Sequence, residues 1–493
     1  MYIISSEKAN KLIEPYIVEK IQNKNCEVQT KKAISFLTCC RFDLAAKLLF
    51  LEDIKNNRDI NSDIYNEHIR LITLGSYTEP GNDSKNSLEK FKLVFKKLYS
   101  DIKNKGFDDS ISLIPYCNDG SILNGAHRVA CAIDLKKEVK AIHVDIPPQQ
   151  LDYRFFKKRG ASSVFLDRCA TEFIKQSPNT YIAIIWPIAE GYTKEIETIL
   201  GNIVYCKELL LSFKGLHNFV SEIYQDEEWL GDIKKNYPGA IGKVLPCFKK
   251  GNLTRIYAFQ SVSPEEVLIK KQQIRDLFNI DKHSIHISDS SDQSLDIAHL
   301  VFNKNSEHFL NYGNPSKYLE TLDKFDSFLG FCKKNGIDKE SIVLDGGIVL
   351  ALYGLRKCND VDYIVDDLKN LTLKNSESHE INSHNEETIY HGFSSASLVH
   401  DSSYHFRYRG IKVLAIEQII KMKENRKEAK DLIDLDLMKE LHNQYSLKFV
   451  FNKFKNKLFF IKAQSLQITM KLLVFFHLYN LVRFFYRRLK MNE

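Results

Sequence analysis

Residues 341–365 read SIVLDGGIVLALYGLRKCNDVDYIV, and this stretch decides the fold of the C-terminal part of the chain. The apolar run 341–344 predicts a short strand, which Gly346 and Gly347 end before a helix begins. A polar turn follows at 356–359, and the β-branched and aromatic run 361–365 predicts a second strand. The stretch therefore predicts a strand, a glycine corner, a helix and a returning strand.

Two carboxylates mark the returning strand. Asp360 and Asp362 are two residues apart, so their side chains are expected on the same side of the strand. Carboxylates held this close repel each other unless a cation lies between them, and Mg²⁺ prefers carboxylate oxygens. Gly346 and Gly347 allow a phosphate to approach backbone N–H groups. The combination predicts a site for nucleotidyl or phosphoryl transfer, and the alternative is an ordinary strand end with two solvated aspartates.

This stretch resembles the nucleotidyltransferase superfamily that includes DNA polymerase β, in which a glycine pair and a helix precede Asp-x-Asp on the next strand. The resemblance covers residues 315–440. It implies that Gly346 and Gly347 hold the triphosphate of an NTP, ATP or CTP, and that Asp360 and Asp362 hold Mg²⁺. A third metal carboxylate is usual in the superfamily, and Asp401 is the nearest candidate.

A second informative stretch lies near the N-terminus. Residues 112–133 read SLIPYCNDGSILNGAHRVACAI and predict a strand, an Asp-Gly turn, a short strand and a helix. Asn124 and Gly125 lie at the junction, where small residues allow a close backbone approach. His127 and Arg128 add donors beside the start of the helix, so an anion is expected there. The alternative is that Arg128 forms a structural ion pair and His127 is satisfied within a turn.

This second stretch resembles the ParB/sulfiredoxin fold, in which a glycine precedes a His-Arg or Arg-Arg pair at the start of a helix. The resemblance covers residues 72–145 and implies a nucleotide phosphate bound at Asn124, Gly125, His127 and Arg128. Some members of the fold cleave or sense nucleotides, and others are small-molecule kinases. Whether this part of the chain catalyses a reaction or only binds a ligand therefore stays open.

The composition limits the possible classes of protein. The 493 residues are enough for two to four domains, and the hydrophobic content of 44% is enough for several cores. A net charge of +7 is small for this length and does not by itself indicate a nucleic-acid partner. The ten cysteines show no metal-binding spacing, so we expect reduced thiols in a cytosolic protein. No signal peptide is expected, because no basic start precedes a long apolar run.

Strands alternate with helices in the middle of the chain, which indicates an α/β domain. Residues 243–248 and 395–399 also read as strands, and residues 415–438 read as one long amphipathic helix. The basic residues of this helix, including Lys421 and Lys430, resemble those that lie near the nucleotide in small nucleotidyltransferases. Their spacing also fits a purely structural face of i,i+4 salt bridges.

The chain becomes basic and aromatic from residue 446. Residues 472–486 read LLVFFHLYNLVRFFY, a run shorter than the ~20 apolar residues of a membrane span and interrupted by three polar residues. Because basic residues flank this run, we expect an amphipathic helix that lies on an anionic membrane surface. Docking of this helix on the protein core or on a partner is the alternative.

These observations predict a multidomain protein of the α/β and α+β classes. Its parts are a ParB/sulfiredoxin-like domain with N-terminal helices (1–150), a central α/β domain (151–314), a nucleotidyltransferase-like domain (315–445) and a basic amphipathic tail (446–493). The predicted function is Mg²⁺-dependent transfer of a nucleotidyl or phosphoryl group to a small acceptor. We expect a cytoplasmic protein, peripheral at the inner face of the membrane.

The combination of such a domain with a membrane-binding tail resembles proteins of bacterial capsule and surface-glycan synthesis. This resemblance implies a sugar, polyol or sugar-phosphate acceptor, and no specific nucleic acid is expected. Two alternatives stay open. One is a nucleotidyltransferase toxin that modifies RNA or protein in phage defence, and the other is a non-catalytic nucleotide-binding sensor.

Overall fold

The computed structural model describes residues 2–19, 25–79, 83–366 and 380–442, together with Thr469 and Leu472. The chain is mixed α/β, in agreement with the coarse fold class expected from the sequence. Within the described residues no helix is both long enough and apolar enough to cross a membrane. The predicted amphipathic tail lies outside the described residues, apart from Thr469 and Leu472.

The first sheet belongs to the N-terminal segment. In chain order its elements are β1 (Tyr2–Ser5), α1 (Ser6–Leu12), α2 (Pro15–Val18), β2 (Asn25–Lys32), α3 (Asp43–Asn56), α4 (Ser62–Thr73), α5 (Leu88–Lys105), β3 (Ile114–Tyr116), α6 (Ala126–Asp134) and β4 (Glu138–His143). The strand order is β1-β2-β4-β3, and only β3 and β4 pair in parallel. The predicted strand, turn and helix at 112–133 are therefore present as β3, the turn after it and α6.

The second sheet belongs to the central segment. Its elements are α7 (Tyr153–Lys158), α8 (Ser163–Gln176), β5 (Thr180–Ile185), α9 (Thr193–Leu200), β6 (Ile203–Leu209), α10 (Phe213–Ile223), α11 (Ala240–Cys247), β7 (Thr254–Gln260), α12 (Pro264–Phe278), β8 (Ile285–Ile287), α13 (Ser291–Val301) and α14 (Lys304–Tyr312). The strand order is β6-β7-β5-β8, and all three pairings are antiparallel. Helices alternate with these strands without producing the parallel sheet that such alternation often accompanies.

The third sheet belongs to the C-terminal segment. Its elements are α15 (Leu319–Lys334), β9 (Ile342–Asp345), α16 (Gly347–Leu352), β10 (Val361–Val365), β11 (Ile381–Ser383), α17 (Thr388–His391), α18 (Ser395–His400), β12 (His405–Tyr408), β13 (Ile411–Leu414), α19 (Ile416–Arg426) and α20 (Ala429–His442). The strand order is β11-β10-β9-β13-β12. Strand β9 is central, pairs antiparallel with β10 and pairs parallel with β13.

Three expectations about secondary structure were wrong. Residues 243–248 and 395–399 were predicted as strands, but they lie in or at the end of helices α11 and α18. Short apolar runs do not separate a strand from a buried helix, and the Ser394 hydroxyl that accepts from Ser397 N at 3.2 Å starts α18. The single helix expected at 415–438 is two helices, because Lys427 adopts a left-handed conformation with φ of +61°.

The N-terminal and central segments share one hydrophobic core. A single cluster of buried residues includes Phe50 and Phe95 from the first segment together with Trp186 and Phe259 from the second. A separate cluster surrounds the third sheet. The central and C-terminal segments also meet through polar contacts, and at one of these the carboxylate of Glu222 on α10 accepts the backbone N–H of Arg409 at 3.0 Å.

We expect Glu222→Gln to stabilise the protein at high pH. Burial raises the pKa of Glu222 to about 7, although Arg409 opposes this shift. A carboxyl with a raised pKa contributes stability that is complete below its unfolded pKa and is lost as pH rises towards 7. The loss amounts to at most about 3 kcal/mol. Glutamine keeps the acceptor oxygen and removes the charge.

The measurement is the free energy of unfolding in urea at pH 5 and pH 8 for the wild type and the variant. The advantage of Glu222→Gln over the wild type should grow between the two pH values. Glu228→Gln, which changes an exposed carboxyl of the same segment, is the control and should show no such growth. An advantage of Glu222→Gln that is the same at both pH values would refute the pKa shift.

Candidate functional site

The glycine corner after β9 has a conformation that requires glycine at one position. Gly346 precedes α16 with φ of +67° and ψ of −134°, which L-residues rarely adopt. A Cβ atom at this position would lie 2.5 Å from the Asp362 Oδ2 atom. At Gly347 an added Cβ would have its nearest neighbour, Arg356 Nη1, at 3.6 Å. Gly346 is therefore needed so that the Asp362 carboxylate can pack against the backbone, whereas Gly347 is not needed for packing.

Two carboxylates face each other across β9 and β10. The antiparallel register places Asp345, the last residue of β9, directly opposite Asp362. Both side chains are at least 90% buried. The imidazole of His384 lies between them, with Nδ1 at 3.2 Å from Asp345 Oδ2 and Nε2 at 3.1 Å from Asp362 Oδ1. His384 directly follows β11, and its backbone N–H donates to Tyr363 O of β10 at 2.7 Å, which holds the histidine in place.

A second histidine supports Asp345 from the other side. His391 is fully buried, and its Nε2 atom lies 3.2 Å from Asp345 Oδ2. Gln418 Nε2 donates to His391 Nδ1 at 3.2 Å, so the proton of the ring lies on Nε2 and is donated to Asp345. The other oxygen, Asp345 Oδ1, is buried and has no hydrogen-bond partner among the described residues.

The electrostatics of the two carboxylates differ. Burial raises the pKa of Asp362 to about 6, and the charges of Asp360 and Asp345 add to this effect while His384 opposes it. Burial also disfavours ionisation of Asp345, but hydrogen bonds from His384 and His391 outweigh it and lower its pKa. Burial lowers the pKa of His384, yet its bonds to the two carboxylates produce a net rise. The group therefore favours a positive charge between the two acids.

Asp360 and Lys430 lie near this pair. Asp360 directly precedes β10 and is partly exposed, and its charge acts on Asp362. Lys430 is 66% exposed, is 3.0 Å from Glu428, and opposes the rise in the Asp362 pKa. In the structure Asp360, Gly346 and Lys430 are thus neighbours of Asp362, and Asp345 joins them.

The donor chemistry of this group suits Mg²⁺. Its oxygens come from carboxylates. Asp345 Oδ1 has no hydrogen-bond partner among the described residues, so it is available to bind a cation. In the part of the chain that the structure describes, no three His, Cys, Asp or Glu side chains form a ready metal site. Mg²⁺ in proteins is commonly held by one or two carboxylates, with water and substrate phosphates as the other ligands. Asp345 and Asp362 would hold it, with Asp360 next to them.

Two other predicted residues lie elsewhere. Asp401 accepts from Arg168 Nη1 at 3.0 Å and follows His400, whose Nε2 is 2.8 Å from Asp366. Asp366 follows β10, whereas Asp362 lies near its start, so the structure does not bring Asp401 to the predicted metal ligands. The carboxylate that lies opposite Asp362 is that of Asp345 and not that of Asp401. Lys421 is exposed on α19, and its Nζ atom lies 4.2 Å from the centre of the Phe393 ring.

A network of buried ion pairs joins α19 and α20 to the polar turn after α16. Asp434 binds Arg356 through both oxygens, at 2.6 and 2.9 Å, and also lies 2.9 Å from Lys423. Lys423 and Arg426 both bind Asp431 at 2.8 Å. These basic residues form structural ion pairs, which was the second interpretation of the predicted helix. The pairs join α19 to α20, however, and are not the i,i+4 pairs expected within one helix. Through Arg356 the network also positions the turn beside Gly347.

In the N-terminal segment, His127 lies inside the protein. Its Nε2 atom is 2.9 Å from the Tyr65 hydroxyl, and its ring contacts the Phe95 ring edge to face at 4.6 Å. Burial and the nearby charges of Lys47 and Lys85 hold the pKa of His127 well below its usual value. The imidazole is therefore neutral.

Arg128 points to a different side of α6, because consecutive helix residues are about 100° apart. Its guanidinium covers Gly125, where an added Cβ would lie 2.9 Å from Nη2, and Nη1 is 3.4 Å from Leu113 O. The Asn124 amide donates to Glu14 at 2.7 Å. The structure thus groups Asn124, Gly125 and Arg128 but separates them from His127.

Sequence reasoning missed several residues of the C-terminal site. They are Asp345, His384, His391, Gln418, Arg356 and Lys423. Asp345 had a signal, because it is the last residue of the predicted strand and precedes the glycine pair. His384 follows β11 and His391 ends α17, both at a distance along the chain from the acids, and no local pattern indicates their contact.

We expect Gly346→Ala to destabilise the protein by about 3 kcal/mol, because it adds backbone strain and a clash with Asp362. Gly347→Ala is the matched control and should be neutral, or stabilising by up to about 1 kcal/mol. The measurement is the midpoint of urea unfolding for both variants. Equal effects of the two substitutions would contradict the geometry of the corner.

We expect Asp434→Asn to lower the free energy of unfolding by about 3 kcal/mol, because it leaves buried Lys423 and partly exposed Arg356 without their shared charge. Asp436→Asn is the matched control on the same helix. Asp436 is 76% exposed and pairs only with exposed Lys439, so its loss should cost less than about 0.5 kcal/mol. Thermal unfolding of the two variants side by side checks the difference, and similar melting temperatures would count against it.

With this geometry established, the chain was compared with known proteins. Comparisons with protein-family models, curated proteins and solved structures found no match. The interpretation of the site therefore depends on the residues and their contacts.

Proposed function

We propose that the C-terminal segment transfers a nucleotidyl or phosphoryl group from an NTP, ATP or CTP, to a small acceptor. The observation that supports this most strongly is the buried pair Asp345 and Asp362, packed against a corner where only glycine fits at residue 346. Burying two carboxylates together costs stability and is uncommon without a function.

Each part of the corner has a role in this proposal. When bound, Mg²⁺ neutralises charge on the transferred phosphoryl group. Asp345 and Asp362 would provide its carboxylate ligands, which requires that His384 no longer lie between them. Gly347 leaves room for a phosphate oxygen at a position where packing alone would allow alanine. Lys430, which is exposed beside Asp362, adds positive charge for the remaining phosphates.

The acceptor and the location follow from the resemblance to surface-glycan synthesis proteins. On that basis the acceptor is a sugar, polyol or sugar phosphate, and the enzyme acts in the cytoplasm with its basic tail on an anionic membrane surface. The N-terminal segment, through Asn124, Gly125 and Arg128, is proposed to bind a further nucleotide phosphate. His127 then supports α6 through Tyr65.

A second candidate function is a nucleotide-binding sensor without catalysis. The position of His384 favours it, because an imidazole already satisfies both carboxylates. The two cavities that are most clearly formed among the described residues also have neither Asp345 nor Asp362 in their lining. In this function nucleotide binds without turnover.

The test is incubation of the full chain with each labelled NTP, Mg²⁺ and a panel of sugars, polyols and their phosphates. We expect release of pyrophosphate or nucleoside diphosphate with one acceptor. Asp362→Asn should reduce the rate about 100-fold or more, because it removes a charged ligand of the cation. Asp436→Asn, on the exposed face of α20, should leave the rate unchanged.

The two functions give different results. Binding of labelled nucleotide without turnover, together with loss of binding in Asp362→Asn, would support the sensor. Turnover that survives in Asp362→Asn and Asp345→Asn would overturn the catalytic role of this corner. The folded state of each variant is checked by its thermal unfolding before rates are compared.

A further inference from the structure

A cavity lies at the opposite end of β9 and β10 from the acid pair. Its volume is about 170 Å³, and residues of all three segments line it. Glu340, which precedes β9, and Lys412, at the start of β13, belong to this lining, whereas Asp345 ends β9. The four residues of β9 separate the two ends by about 13 Å. The cavity is therefore distinct from the corner described above.

Positive charge is concentrated on one side of this cavity. Arg407 and Lys412 share a single carboxylate, that of Glu340, at 2.7 Å and 3.1 Å. Lys412 is 95% buried, and burial with the neighbouring charge of Arg407 lowers its pKa to about 8 although Glu340 opposes this. Arg407 and Lys412 thus share one carboxylate, and their remaining N–H groups can donate to an anionic group.

Arg58 provides an unused donor in the same lining. Its side chain is 92% buried, and one terminal nitrogen donates to Asp366. The Nε atom is buried and has no hydrogen-bond partner among the described residues. Buried guanidinium N–H groups are normally paired, so an oxygen of a ligand is the natural partner for this one.

The carboxylates on the other side are already satisfied. Asp53 accepts the backbone N–H groups of Ile60 and Asn61 at 2.9 and 2.6 Å, and the Asn61 amide at 2.9 Å. Glu52 and Glu172 share Lys175, at 3.6 and 3.3 Å. Two carboxylates with one lysine leave this part of the lining acidic, and their oxygens can accept further hydrogen bonds from hydroxyl groups.

Neutral imidazoles lie between the two sides. His299 lines the cavity, and burial with the charges of Arg407 and Lys412 lowers its pKa to about 3. Burial and Lys412 also lower the pKa of His400, although its contact with Asp366 opposes the shift. A neutral imidazole can donate to one hydroxyl oxygen or accept from another, so this part of the lining suits a polar, uncharged group.

We propose that this cavity binds a small phosphate ester that carries hydroxyl groups, with the phosphate against Arg58, Arg407 and Lys412 and the hydroxyls towards Glu52, Asp53 and His299. The site holds the three segments together around its ligand. It is independent of the proposed transfer reaction, since none of its residues contacts Asp345 or Asp362.

Isothermal titration calorimetry of the full chain with ribose 5-phosphate, inorganic phosphate and ribose tests the site. Ribose 5-phosphate should bind at least tenfold more tightly than either of the other two. Failure of ribose 5-phosphate to bind at millimolar concentration would overturn the proposal. Equal affinity for inorganic phosphate would overturn the role assigned to the hydroxyl groups.

Variants locate the ligand. Lys412→Met should weaken ribose 5-phosphate binding at least tenfold. If this variant unfolds, Arg407→Gln, which changes a less buried residue, replaces it and should weaken binding in the same way. Lys304→Met, at a 61%-exposed lysine of the neighbouring helix α14, is the matched control and should bind normally. Asp362→Asn should also bind normally, because the acid pair lies at the other end of β9. Loss of binding in Asp362→Asn with retention in Arg407→Gln would overturn the assignment.

Discussion

The antiparallel pairing of β9 with β10 is the contact on which the C-terminal segment depends. Its register brings Asp345 opposite Asp362. At the other end of the two strands it brings Asp366, which follows β10, beside Ser341, which precedes β9. A shift by one residue would turn every side chain of β10 to the other face and separate the two acids. The geometry of both polar sites therefore follows from one ladder of backbone hydrogen bonds.

The acid pair is costly to the folded protein. Two buried carboxylates repel each other, and the rise of the Asp362 pKa to about 6 expresses this repulsion together with burial. His384 and His391 reduce the cost by donating to Asp345. Such an arrangement is stable only when the surrounding structure holds it. Here the ion pairs of Arg356, Lys423 and Asp434 fasten α19 and α20 next to the corner.

The two ends of the central strand have opposite electrostatic character. Carboxylates dominate the end at Asp345, whereas two cations, Arg407 and Lys412, share Glu340 at the other end. The four residues of β9 separate these two ends by about 13 Å, so each end has its own neighbours and suits a different ligand.

The sequence by itself determined the elements around the glycine pair, because their signals are local. Hydrophobic periodicity, paired glycines and a β-branched run predicted β9, α16 and β10, and the spacing of Asp360 and Asp362 placed both acids near the start of one strand. Local signals failed where a short apolar run is compatible with two structures, as at 395–399, which forms α18.

The tertiary structure alone decided which distant side chains meet. His384 and His391 reach Asp345 because β11 pairs with β10 and α17 packs against α19, and neither contact has a signal in the local sequence. Asp401 was expected with the acids but binds Arg168, because α18 ends beside Asp366, at the other end of β10 from Asp362. The cavity between the three segments likewise depends on their packing, and long-range packing is set by the shapes of whole buried surfaces and not by any one stretch of residues.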